Sequence, residues 1–195
     1  MNAVGDCTVV SPDSVVIAPI ANEHIAGFHS ALDAIARERI YLGLTEARPL
    51  PWAEDFVTAN IRKNHAQFVA LADGKVIGWC DILPHDMSGF DHTGALGMGL
   101  LPQWRGRGVG RTLLRTTLQK AVNNGLTRIE LDVYTSNLKA IALYRKFGFV
   151  EEGLKRNARL LDGVYEDVML MALLCGNARP ADAKYQLDHC PIEDR

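Results

Sequence analysis

The sequence predicts an α/β domain with a central mixed sheet and helices on both faces. Three observations lead there: the order of the elements, a composition able to build a core, and a glycine- and arginine-rich turn ahead of the strongest helical pattern. The order reads strand, two helices, three strands, helix, strand, helix and two strands. At 195 residues the chain has room for one large domain, expected to close at residue 175, with a polar tail over 176–195.

Each element has a local reason. Val15, Val16 and Ile17 form a β-branched run ending at Pro19, read as the first strand. Asn22 can cap a helix in which Ile25, Phe28, Leu32, Ile35 and Ile40 recur as one apolar stripe, and the segment from Arg48 to Pro51 breaks it. A second helix is expected from Pro51 through Phe56, Val57 and Ile61, since proline suits a first turn. Strands over Gln67–Leu71 and Val76–Leu83 flank Asp73 and Gly74, a hairpin turn pair. After a loop over Pro84–Asp91 comes a strand over Thr93–Leu101 with Gly94, Gly97 and Gly99, residues that mark a bulge or a close approach.

The clearest helix carries Val109, Leu113, Leu114, Leu118, Ala121 and Val122 on one face and stops at Asn124 and Gly125. Arg128–Tyr134 alternates as a strand, Asn137–Phe147 is a short helix, and Phe149–Leu154 and Val164–Leu174 are the last strands. The opening from Met1 to Ser14 shows no clear period.

Composition narrows the function classes. The 48% hydrophobic and 23% charged content is that of an ordinary folded chain. A net charge of −2 argues against an electrostatic binder of nucleic acid or membranes, so no partner of either kind is expected. The strongest apolar run, Val168–Cys175, is far shorter than the ~20 residues that span a bilayer. Cys7, Cys80, Cys175 and Cys190 are dispersed, which fits a reducing, cytoplasmic setting. The histidines His24, His29, His65, His85 and His189 lack metal-ligand spacing, and no metal is expected.

The chemistry concentrates in Gln103, Trp104, Arg105, Gly106, Arg107, Gly108, Val109 and Gly110. Glycines there let successive N–H groups converge, and a helix N-terminus adds about half a positive charge, which favours a phosphate. Arg105, Arg107 and Arg111 reinforce it; the bland alternative is a tight turn with solvated arginines. A Walker A loop is excluded because Val109 and Gly110 follow Gly108. A dinucleotide fingerprint fails at Arg111, where its third glycine would stand, although Glu130 keeps that reading as a weak competitor.

Gln103 to Gly108 matches the Q/R-x-x-G-x-G/A motif, and Asn137, Ala140 and Tyr144 with Phe147, Gly148 and Phe149 match a later N-x-x-A-x-x-x-Y-x-x-x-G-F pattern. With both motifs in order, the chain resembles the GNAT family, the Gcn5-related N-acetyltransferases, over roughly Val15 to Leu174. The region from Arg128 to Met171 looks most like bacterial members acting on free amino acids, with polyamine and ribosomal-protein acetylases more distant. The resemblance implies a single N-acetyltransferase domain over 1–175, a splayed sheet with a V-shaped opening between two strands, and acetyl-CoA as acetyl donor. It also implies that Met98, Gly99 and Leu100 bind the pantetheine arm, that N–H groups from Arg105 to Gly110 hold the pyrophosphate, and that Asn137 touches the arm or its thioester. Ala140 and Gln103 enter the cofactor set through the same motifs.

Tyr144 is the expected general acid for the departing thiolate, against the plainer reading of a packing residue. The oxyanion is assigned to a backbone N–H near Met98 or Gly99. The base is open among Glu130, Asp132, His92 and water, so rate is expected to climb with pH. Cys80, in an apolar strand without an activating base, reads as structural, which leaves direct attack. The acceptor is expected to be a small primary amine, that of a free amino acid before a polyamine or a ribosomal-protein N-terminus. Glu38, Glu46, Glu54, Asp55, Arg37, Arg39 and Arg48 stand near the presumed acceptor entrance or on solvated faces. A homodimer is the expected assembly if the chain self-associates, and a silent acyl-CoA-binding module is the non-enzymatic alternative.

Overall fold

The computed structural model describes residues 8–10 and 15–176. In chain order these form β1 (Thr8–Val10), β2 (Val15–Pro19), α1 (Ile25–Ala36), α2 (Leu50–Arg62), β3 (Ala66–Ala72), β4 (Lys75–Pro84), β5 (Thr93–Leu100), α3 (Val109–Asn123), β6 (Arg128–Tyr134), α4 (Leu138–Lys146), β7 (Val150–Leu161) and β8 (Val164–Leu174). The strand order is β1-β2-β3-β4-β5-β6-β8-β7. Strand β5 runs parallel to β6, whereas β1–β2, β2–β3, β3–β4, β6–β8 and β7–β8 are antiparallel. The mixed sheet is therefore as expected from the element order. The expected tail lies outside the described residues apart from Gly176, as do Cys7, Cys190 and His189.

Two compact units divide the chain, Met1–Leu83 with Gly97–Asn124 and Pro84–Leu96 with Gly125–Arg195, so β5 contributes to both. In the first unit, α1 buries Phe28, Ala31, Leu32 and Ile35, and α2 buries Ala53, Val57 and Asn60, in each case at the three- and four-residue spacing of one helical face. These faces join Ile20, Val69 and Trp79 in one core, with Phe28 edge-on to Trp79 at 5.5 Å. On β4 the next residue, Cys80, points the opposite way and bonds Thr117 of α3, whose Leu113, Leu114, Leu118 and Ala121 are also buried. The strand is thus covered on both faces, which explains the unbroken buried run from Ile77 to Ile82.

In the second unit, Ile129, Leu131 and Val133 of β6 are buried, and their ladder partners Leu173 and Met171 of β8 are buried with them. The turn Asp162 (φ 51°) and Gly163 (φ 78°) has the two left-handed residues of a tight hairpin.

Four departures from expectation exceed a single residue. Helix α1 ends at Ala36, leaving Ile40 half exposed, because Asp33 Oδ1 accepts the Ala47 N–H and Arg39 turns left-handed (φ 61°). Asn22 starts a single 3₁₀ turn instead of capping α1, and His24 Nδ1 accepts the Ala21 N–H at 3.0 Å. Strand β7 runs on to Leu161 through a polar stretch, where a bulge turns Asn157 left-handed (φ 50°) and its N–H meets Asp167 Oδ1 at 2.7 Å. Strand β1 was not expected at all, since three residues are too few to show alternation.

Candidate active site

After β5 the chain makes one 3₁₀ turn at Pro102–Trp104, passes Arg105 in extended form, and reaches Gly106 (φ 75°) and Gly108 (φ 85°) before α3 begins at Val109. A Cβ built on either glycine meets nothing within 4 Å, so both border open space. Gly108 caps α3 without any side chain, which leaves the first-turn N–H groups to an outside acceptor. This cradle of glycine backbone at a helix start suits a pyrophosphate. Val109 is buried and anchors the turn, Gly110 is half-buried behind it, and Gln103 and Arg107 are exposed, the Arg107 guanidinium 5.4 Å from the Trp104 ring centre.

The Arg105 side chain has partners within the first unit. Its Nη atoms donate to both carboxylate oxygens of Glu38 at 2.8 and 2.5 Å, its Nε donates to Leu100 O at 2.7 Å, and it lies 4.6 Å from the Tyr41 ring centre. The Glu38 hydrogen bonds push its pKa further up. The side chain therefore braces the end of β5 against the segment after α1. Arg37 likewise pairs with Asp33 at 2.7 Å and Glu46 at 3.5 Å, and Arg48 stacks 5.2 Å over Trp52.

The glycines of β5 also have a local cause. The Trp79 ring fills the space that a Gly99 side chain would take, a Cβ on Gly97 would lie 3.0 Å from Asp81 Oδ1, and one on Gly78 would lie 2.6 Å from Gly99 O. They let β4 and β5 close over two large β4 side chains. The parallel β5–β6 ladder spans three pairs and ends at Ala95↔Glu130, so half-buried Met98, Gly99 and Leu100 lie past its end.

In the second unit, Asn137 caps α4, its side chain accepting the Ala140 N–H at 3.3 Å. Tyr144 is buried, its ring 5.7 Å from that of Phe149, and its carbonyl accepts the N–H groups of Phe147 and Phe149 around Gly148 (φ 87°). The second motif is thus a helix cap, a buried face and a left-handed stop.

A family model described as Acetyltransferase (GNAT) family matches residues 28–149. The chain belongs to this family. Membership makes it an acetyl-CoA-dependent N-acetyltransferase. It is 35% identical over 107 residues to the L-amino acid N-acetyltransferase AaaT of Escherichia coli strain K12, 54% of this chain and 66% of that relative, just under two thirds of its length. It is 28% identical over 127 residues, 65% of this chain and 83% of the relative, to the ribosomal protein bS18-alanine N-acetyltransferase of the same strain. In fold it is similar to a phosphinothricin acetyltransferase of Sinorhizobium meliloti solved with acetyl-CoA, at a TM-score of 0.79 and 17% identity over 88% of this chain and 96% of that one. No helix among the described residues is long and apolar enough to cross a membrane.

The open question in this acetyltransferase is the base. Glu130 Oε1 meets His85 Nε2 at 2.7 Å and Oε2 accepts from Arg128 Nε at 3.2 Å, while Arg128 also pairs with Glu152. Asp132 pairs with Lys155 at 2.8 Å in an exposed setting. His92 is exposed, and its carbonyl accepts the N–H groups of Thr127 and Arg128. Glu130 and Asp132 thus each have charged or hydrogen-bonding partners, and His92 takes part through its carbonyl. Sequence reasoning passed over a different carboxylate, Asp81 of β4, which is 8% exposed and whose pKa burial raises to about 7 against an opposing Trp79 hydrogen bond. The signal was available as a lone acid inside the apolar run Ile77–Leu83.

Proposed function

We propose that the enzyme moves the acetyl group of acetyl-CoA onto the primary amine of a free amino acid by direct attack. The observation that carries the acceptor class is the 35% identity to a relative named for L-amino acid acetylation. Acetyl-CoA supplies an activated thioester carbonyl. Backbone N–H groups from Arg105 to Gly110 hold its pyrophosphate, with Gln103 completing that motif, and Met98, Gly99 and Leu100 offer the β5 backbone to its arm. An N–H of Met98 or Gly99 meets the oxyanion, and Tyr144 gives the departing thiolate its proton. Asn137 and Ala140 set the start of the helix that carries Tyr144. Cys80 stays out of the chemistry, because burial pushes its thiol up and away from the nucleophilic thiolate. The protein acts as one domain over 1–175 under this reading.

The test is CoA release across a panel of amino acids, polyamines, aminoglycosides and peptides. A free amino acid is expected to give the highest kcat/KM, and its carboxyl amide a weaker KM. A second reading, acetylation of a ribosomal-protein N-terminus, draws on relatives so named that match 83% of their own length. A dominant peptide response with free amino acids inert would establish it instead.

A further inference from the structure

A row of buried polar groups crosses the face of the first unit that packs on α1 and α2. Gln67 of β3 is the ladder partner of Asp81 of β4, so their side chains stand side by side on one face, with Cβ atoms about 5 Å apart. Gln67 is 2% exposed, and its Oε1 accepts from Asn60 Nδ2 at 2.9 Å. Its Nε2 is buried with no hydrogen-bond partner. A buried amide donor left unpaired beside a buried carboxylate costs stability, which points to a polar guest in the working protein. On the other side of Asp81, Gly97 presents no side chain, and any Cβ there would cover Oδ1 at 3.0 Å. The carboxylate consequently lies directly against the β5 backbone just before Met98 and Gly99.

We propose that Asp81, set against the side-chain-free Gly97 of β5 and flanked by the unpaired Gln67 amide, receives the acceptor amine as an ammonium ion and takes its proton. This rests on the reading of the chain as an acetyltransferase of a primary amine. One N–H bond of the ammonium breaks, an O–H bond forms on Asp81, and the nitrogen lone pair is freed for attack; Asp81 later returns the proton to solvent. The neighbours placed beside Asp81 carry no charge: Trp79 on its own strand, Gln67 on β3, Gly97 on β5, and Asn60 of α2 behind Gln67. The titratable groups tied to this row are His65, bonded to Asn60 Oδ1 at 3.2 Å, and Cys80, which faces α3.

Two independent readouts follow. With a carboxyl titrating near 7, wild-type kcat/KM levels off above that pH instead of climbing through the alkaline range. Asp81→Asn is expected to lower kcat/KM roughly 10²-fold at pH 7, with the deficit shrinking as pH rises and the amine arrives neutral. The second readout needs no turnover. A carboxyl raised by folding above its unfolded value of 3.8 favours the fold when protonated, so stability is full below that value and declines as pH climbs toward 7. Asp81→Asn should remove this decline and raise Tm at pH 8, the pattern of a residue kept for function at a cost to stability.

The experiment measures acetyl-CoA affinity, Tm at pH 5 and pH 8, and kcat/KM from pH 6.5 to 9.5 for wild type, Asp81→Asn and Gly97→Ala, with the best acceptor of an amino-acid and polyamine panel. Gly97→Ala, which keeps the carboxylate but sets a methyl 3.0 Å from Oδ1, is expected to lose about tenfold or more in acceptor kcat/KM at unchanged acetyl-CoA affinity, and it decides the matter if Asp81→Asn does not fold. Wild-type rates from Asp81→Asn, a deficit equal at every pH, or normal acceptor kinetics in Gly97→Ala would overturn the assignment. A wild-type enzyme silent across the whole panel would instead overturn the acetyltransferase reading on which it rests.

Discussion

Tyr144 and Asn137 belong to the same motif but are expected to fail in different ways. Tyr144→Phe keeps the ring against Phe149 and removes only the hydroxyl, so folding and acetyl-CoA affinity should be preserved while kcat falls roughly 10²-fold, as steady-state kinetics and titration can check. Asn137→Ala removes the cap acceptor for the Ala140 N–H and should cost about 1 kcal/mol of stability in denaturant unfolding. The sequence placed both residues on or beside one helix, and motif spacing made that legible. What spacing could not reveal was the partner of each charge. Arg105 reads in sequence as a phosphate ligand, and only the fold sets Glu38 and Tyr41 around its guanidinium, the Glu38 contact spanning 67 positions of the chain.

At the level of elements, the two kinds of glycine call for two kinds of outcome. Gly106 and Gly108 hold left-handed φ values and border open space, so valine there is strained and its side chain enters the cradle ahead of α3. Gly106→Val or Gly108→Val should abolish the thermal shift that acetyl-CoA produces in the native protein. Gly99 is different, because the Trp79 ring already occupies its side-chain space. Gly99→Ala should lower stability by about 1–3 kcal/mol through overpacking, read as a fall in the midpoint of denaturant unfolding. Elements with a strong period were legible in full: β6 and β8 have the expected bounds, and α3 stops at Asn123, just before Asn124 and Gly125 that were expected to end it. Those that rest on long-range hydrogen bonds were not. The end of α1 depends on Asp33 reaching Ala47, and the second half of β7 depends on a bulge fixed by Asp167.

Across the whole chain, element order and two motifs carried the fold and the family, and a net charge of −2 leaves recognition to local groups. The acceptor side was the part least visible in sequence, because it depends on which buried polar groups share a sheet face. Gln67 and Asp81 are separated by a hairpin and become neighbours only through the β3–β4 register. The account's central claim is transfer of acetyl from acetyl-CoA to an amino-acid amine without an acyl-enzyme. The most direct measurement is mass spectrometry of products after incubation with acetyl-CoA labelled in the acetyl group and a mixture of free amino acids. The account predicts the label in an N-acetyl amino acid, one free CoA for each product formed, and none on the recovered protein. Acetyl-CoA bound by the protein with no label in any amino acid, or label retained on Cys80, would contradict it.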